Sequence, residues 1–234
     1  MSTTLVLSSI DDADADIERS AIQLPPEPHT LAGFRSWVLA DDVPEKLRVS
    51  YLRGRITVDL SKEEIQTHAE VKAKIAVVMG QMIQTIDFGK YYINGVLVTN
   101  VEADVSNNPD MVGIGWESLA SGKVRFVASS KDREMEIEGF PDWVLEIVSR
   151  SSVAKDKRDL KQAYHQAGIR EYWIVDARGE EIEFQIFHWR KSGYVSAADN
   201  DGWRRSRVFP FLFQLTRKRD RRGGWSYSLA SKGT

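Results

Sequence analysis

The sequence predicts an α/β domain built on a mixed β-sheet flanked by helices, and three stretches carry that prediction. Phe140 to Asp176 reads as strand, polar turn, helix, turn and strand. Its first part, Trp143, Val144, Leu145, Ile147 and Val148, is a nearly unbroken apolar run, as in a strand covered on both faces. Two such strands joined by a helix within about 35 residues imply a crossover connection and parallel pairing. Ser61 to Thr85 is a long stretch with apolar residues at helical spacing. Glu181 to Trp189 alternates apolar and polar residues, the period of a half-buried antiparallel strand.

Taken in order, residues 1–29 read as an N-terminal tail or arm, from their acidic run, serines and the LPPEPHT segment. Thr4 to Ser9 could alternatively add an edge strand to a partner. A single domain is expected over 30–234. Thr30 to Ala40 is helix-like, with Leu31, Phe34, Trp37 and Val38 on one side. Leu47 to Leu60 reads as two short strands turning at Arg53-Gly54. Ser61 then caps the long helix, with Glu63 and Glu64 in its first turn, where the helix dipole favours anions. Lys90 to Val98 begins a strand region containing a turn or bulge at Asn94-Gly95. Asn107-Asn108-Pro109 is a turn, and Asp110 opens a short strand, Met111 to Ile114. Trp116 to Ile137 fits either a hairpin or an open loop.

Within the strand–helix–strand unit, Ser149 to Ser152 end the first strand. Leu160, Ala163, Tyr164 and Ala167 mark the buried face of the helix, Gly168 stops it, and Tyr172 to Val175 form the second strand. Short strands are expected at Gly193 to Ala197, Ser206 to Leu212 and Trp225 to Leu229, with a turn at Gly223-Gly224. The segment 191–234 is thus a C-terminal β extension.

The chain of 234 residues has no cysteine, which excludes disulfides and Cys-ligated zinc and fits a reducing cytoplasm. Its four histidines show no zinc-site spacing. No apolar run approaches the roughly 20 residues of a membrane helix, so no membrane partner is expected. A net charge of −2 gives no global case for nucleic-acid binding. The C-terminal segment is nevertheless basic, with Arg204, Arg205, Arg207, Arg217, Lys218, Arg219, Arg221 and Arg222. It either tracks phosphates or forms a solvated strand face.

Glu146 is the anomaly inside the first apolar strand. Desolvating a carboxylate there costs several kcal/mol unless it is paired or metal-bound. An edge-strand Glu facing water, half of a structural salt bridge, and a metal ligand all fit. Asp110, at the start of another strand, can face Glu146 across adjacent strands, and two such carboxylates attract a hard divalent cation. Lys155, Lys157 and Lys161 on the following helix can then neutralise a phosphate or position a water.

Pro109-Asp110, then Glu146-Ile147-Val148-Ser149, Ser151-Ser152, Lys155-Asp156, Tyr164, Gly168-Ile169 and Glu171-Tyr172-Trp173-Ile174-Val175-Asp176 together resemble a bacterial family. It is the restriction-endonuclease-like family of the PD-(D/E)XK nuclease superfamily, long catalogued as a domain of unknown function. The resemblance covers residues 30–190. It implies a restriction-endonuclease-like bent mixed sheet and Mg²⁺- or Mn²⁺-dependent endonucleolytic hydrolysis of DNA. Asp110 and Glu146 would be the metal-binding carboxylates, with the Ile147 carbonyl a third ligand. The superfamily lysine two residues after the second acid is Val148 here. The family's own lysine, four residues before the tyrosine, is Leu160. Lys155 and Lys161 are the substitutes, with Lys155 nearer the strand end. His68 and Glu70 match first-helix positions that can add a ligand, and Ser149 can hydrogen-bond Glu146. Asp142 reads as a turn cap, Tyr164, Tyr172 and Trp173 as core, and Asp176 as a strand-end residue. By analogy with nucleases, a homodimer or higher homo-oligomer is expected. The alternatives are a catalytically inactive nuclease fold that binds nucleic acid or protein, and an oligomeric scaffold with an exchanged tail.

Overall fold

The structure, a computed structural model, describes residues 4–7, 20–25, 29–40, 43–44, 47–128 and 133–234. β1 (Thr4–Leu7) and β2 (Ser20–Gln23) pair antiparallel, so the first part of the expected tail finds its partner in its own chain. The acidic run at 11–19 lies outside the described residues. α1 (Leu31–Val38) is capped by Thr30, whose Oγ1 accepts from the Gly33 amide at 3.0 Å. β3 (Arg48–Leu52) and β4 (Arg55–Asp59) form the expected hairpin, with Arg53 and Gly54 both at positive φ.

The long helix begins later than the sequence suggested. Glu64, not Ser61, is its cap, accepting from the amides of Gln66 and Thr67. A carboxylate reaching its own next turn satisfies two orphan amides, whereas Ser61 stays in the preceding loop with its amide bonded to Asp59. A π-helical turn, Ile65–Ala69, leads into α2 (Glu70–Thr85).

β5 (Gly89–Ile93), β6 (Leu97–Asn100), β7 (Val105–Asn107) and β8 (Met111–Gly115) follow. The excursion after them resolves into α3 (Trp116–Ala120) and an antiparallel pair, β9 (Val124–Ala128) and β10 (Glu134–Gly139). β11 (Trp143–Ile147) is joined to β12 (Glu171–Asp176) by a π-helical turn, Lys155–Leu160, running into α4 (Lys161–Gln166). The two strands pair in parallel, and Gly168 ends the helix at φ +75°. β13 (Glu183–His188), β14 (Val195–Ser196), β15 (Asp199–Asn200), β16 (Trp203–Arg205), β17 (Phe211–Arg219) and β18 (Trp225–Gly233) complete the chain. The expected strand at 206–212 is instead mostly a loop. Its amides and Ser206 turn inward to the Glu171 carboxylate rather than joining a ladder.

Two mixed six-stranded sheets form the scaffold, in the orders β4-β3-β7-β6-β10-β9 and β14-β13-β12-β11-β8-β5. A four-stranded antiparallel sheet, β15-β16-β17-β18, is the C-terminal extension. β11 is central and buried throughout. Trp143, Leu145 and Ile147 pack with α2 and the C-terminal sheet, while Val144 and Val148 pack with α4 and the first sheet. Period-two alternation thus feeds two cores from one strand, as the apolar run predicted. Leu31 and Phe34 of α1 cover the outer face of β3 in a third cluster. Among the described residues no helix is long and apolar enough to cross a membrane.

Candidate active site

The register of β8 against β11 decides the site. Trp143 pairs with Gly113, Val144 with Val112 and Leu145 with Met111. The paired ladder ends there, with Glu146 and Asp110 the next residue on each strand, near enough for the Asp110 charge to act on Glu146. The ladder does not simply fray there. Asp110 Oδ2 accepts the Ile147 amide at 2.8 Å, taking the place of a strand carbonyl. The two acids predicted from the sequence therefore come together at one end of β11.

Glu146 is buried, and its Oε1 accepts from the Tyr164 hydroxyl at 2.6 Å and Asn107 Nδ2 at 2.8 Å. Burial raises its carboxyl well above the usual range, and the neighbouring Asp156 charge raises it further. Lys155 pulls it down in part, and Asp110 adds to the rise. Asp156 is itself pushed up to about 6 by burial, although Lys155 and the Ser152 hydroxyl oppose the shift. The Asp156 Oδ1 atom is buried and has no hydrogen-bond partner. Tyr164 is thus more than the core residue expected, and Asn107 and Asp156, to which the sequence reading gave no role in the site, stand beside Glu146. Their signals were slight: Asn107 sits in a turn motif, and Asp156 reads as one more charge on a helix.

A cation that the sequence reading missed stands on α2. Lys72 is buried, with Nζ 3.3 Å from Asp110 Oδ1 and 3.2 Å from Asn94 Oδ1, and it also pairs with Glu63. His68 Nδ1 lies 2.8 Å from Glu63 Oε1, and its Nε2 is 3.7 Å from Asp110 Oδ2. Burial raises the Glu63 carboxyl, but hydrogen bonds from Lys72 and His68 outweigh it and hold the group at about 2. The late helix start makes this possible, because residues 61–64 remain a loop and Glu63 folds back over the first turns.

The remaining expected residues divide. Lys155 lines the cleft, with Nζ 3.9 Å from Asp156 Oδ1. Lys161 does not line it: one residue past buried Leu160, about 100° round the helix, its Nζ sits 3.7 Å over the Phe187 ring. Lys157 is engaged by Asp176 at 2.8 Å and Glu183 at 2.6 Å. Glu70 is exposed and outside the cleft lining. The Ser149 hydroxyl meets Ser151 and Ser152, not Glu146. Asp142 accepts the Gly115 amide at 2.8 Å and pairs with Arg170.

The cleft above these groups has a volume of about 1040 Å³ and a mixed lining. Its lining carries Arg48, Arg55, Lys62, Arg150, Arg158 and Arg178 interspersed with Asp59, Glu63, Glu64 and Asp159, and holds Asp110, Glu146 and Asp156 as well. Among the described residues no three His, Cys, Asp or Glu side chains are grouped so as to enclose a metal ion. The oxygen-only donor set fits Mg²⁺ or Mn²⁺, since Mg²⁺ is typically held by one or two carboxylates and keeps several waters. The orphaned Asp156 oxygen, buried beside Lys155, marks a place where added positive charge is favourable.

A family model described as "Putative restriction endonuclease", Uma2, matches residues 34–218. The fold is similar to a solved structure from Anabaena variabilis, described as "a putative nuclease belonging to DUF820". That match has a TM-score of 0.54 and 17% identity, and covers 76% of this chain and 89% of the other. At such identity the likeness is one of fold. No curated protein matches this chain. With most of its length matched, from α1 to β17, and the acids of the resemblance brought together by one strand register, the chain belongs to the Uma2 family.

Proposed function

We propose that this protein is a metal-dependent DNA endonuclease whose ion is held by Asp110, Glu146 and the Ile147 carbonyl. The observation that carries the reading is the meeting of Asp110 and Glu146 where the β8–β11 ladder ends, in a cleft whose lining also holds several arginines and lysines. The arginines and lysines of the lining suit a polyanionic backbone, and buried acids suit a divalent ion. Bound there, such an ion polarises the scissile phosphate and lowers the pKa of the attacking water. The chain's own residues prepare the site. Lys72 and the Ile147 amide hold the two oxygens of Asp110 from opposite sides. Tyr164 and Asn107 fix Glu146 Oε1. His68, steadied by Glu63, is an accessory group beside Asp110. Lys155 is the lysine that offsets charge on the phosphate.

A supercoiled-plasmid nicking assay with Mg²⁺ or Mn²⁺ tests this. Wild type is expected to nick. Lys155→Met should lose on the order of 10²-fold, the usual cost of removing one preorganised electrostatic contact, and Lys161→Met should retain wild-type activity. No nicking by wild type with either ion would overturn the proposal. One observation favours a second reading, a nuclease fold without catalysis: Val148 and Leu160, at the two lysine positions, are buried in the core. Calorimetry separates the two, because that reading expects no Mn²⁺ binding at millimolar concentration.

A further inference from the structure

We propose that the β17–β18 hairpin is a second DNA contact, gripping the backbone to one side of the cleft. It rests on the nuclease reading for its ligand but uses none of the cleft's chemistry. The hairpin is anchored to the cleft wall at two points. Arg217 Nη1 donates to the Ala177 carbonyl at 2.7 Å, and its Nη2 donates to Gly179. Between those residues, Arg178 lines the cleft. At the tip, Gly224 approaches Gln66 so closely that a Cβ there would lie 3.0 Å from Nε2. Gln66 is two residues before His68 on the same π-helical turn.

The tip is cationic on balance, with Arg219, Arg221 and Arg222 against one acid, Asp220. Arg221 and Arg222 are exposed, and among the described residues neither makes an ion pair. Asp220 offsets one of these charges and shapes the turn, its Oδ1 accepting the amides of Arg222 and Gly224. Behind the tip, Trp225 has the Arg217 and Arg219 guanidiniums 3.9 and 3.6 Å from its ring centroid. Both Arg217 Nη atoms are committed to backbone carbonyls and Arg219 donates Nη1 to the Gly223 carbonyl at 2.9 Å, so the stacked pair contributes positive charge behind the tip. Arg221 and Arg222 are thus left available at the tip, with the charges of Arg217 and Arg219 behind them. In a chain of net charge −2, such local concentration matches a phosphate backbone.

The test is DNA binding in EDTA by fluorescence anisotropy, over a salt series, for wild type and an Arg221→Glu/Arg222→Glu variant. Hydrolysis of bis(p-nitrophenyl) phosphate with Mn²⁺ is measured in parallel. The variant is expected to bind on the order of 10-fold more weakly or worse, with the salt slope reduced by about two. An Arg221→Lys/Arg222→Lys variant should bind nearly as wild type. The small diester reaches only the cleft, so its hydrolysis should be unchanged. Equal affinity and slope in wild type and the Glu variant would overturn the hairpin contact. Wild type that binds DNA without hydrolysing the diester would remove the catalytic reading while the binding arms still decide the hairpin. Wild type that binds no DNA would overturn both.

Discussion

Glu146→Gln should abolish nicking and, without divalent metal, raise the melting temperature. Removing one ligand charge forfeits about 4 kcal/mol of transition-state stabilisation, on the order of 10³-fold in rate. Stability moves the other way. Because burial and the Asp156 charge raise the folded-state pKa of Glu146, its ionised form is disfavoured in the fold. Such a group's contribution is fully present below the unfolded carboxylate pKa and is lost as pH rises through the folded value. Wild type in EDTA should therefore lose stability as pH rises from about 4.5, and Asp156, at about 6, steepens the loss. Glutamine can still accept from Tyr164 and Asn107, carries no charge, and should flatten much of that slope. Saturating Mn²⁺ should narrow the gap by stabilising only the wild-type fold. Melting curves from pH 4 to 8, with and without Mn²⁺, and nicking rates are the measurements. Wild-type nicking by Glu146→Gln would end the case for Glu146 as a ligand.

Glu171→Ala should be the most destabilising single change outside the cleft. The side chain is fully buried between the second sheet and the C-terminal extension. It accepts from Trp173 Nε1 and Ser206 Oγ, both at 2.6 Å, and from the amides of Arg207 at 2.7 Å and Val208 at 3.4 Å. Alanine strands those donors at once. A buried charge-assisted network of this kind is worth about 3–5 kcal/mol when one partner is removed. The melting temperature should fall by about 10 °C. The loop it holds also seats Phe209, whose ring centroid lies 5.4 Å from Trp143 and 4.9 Å from Phe88. Activity per folded molecule should persist, since Glu171 lies outside the cleft lining. A fall under about 3 °C would show that the loop is held by apolar packing alone.

Much of this was written locally. Hydrophobic period revealed β11, α4 and β12, because a strand fed by two cores must be apolar on both faces, and Gly168 marks the helix end because few other residues adopt its φ. Glu146 stood out for the same reason: a charge in such a run needs an explanation. By contrast, the ranking of the lysines was not legible. Lys155 and Lys161 differ by a rotation about the helix axis, and a π-helical turn between them shifts the phase that regular spacing assumes. Lys72, on a different helix, carried no signal. A lysine within an amphipathic pattern reads as surface until a partner across the fold buries it.

The amino-acid order alone determined that an acid interrupts an apolar strand, and that a second acid would open another strand after a proline turn. Only the three-dimensional arrangement decided that the β8–β11 pairing brings those acids to the same end of its ladder, and that Lys72, His68, Asn107, Tyr164 and Asp156 surround them. The reason is one of range. Periodicity and turn chemistry act over a few residues, whereas the hydrogen bonds that hold each carboxylate join residues 18 to 39 positions apart.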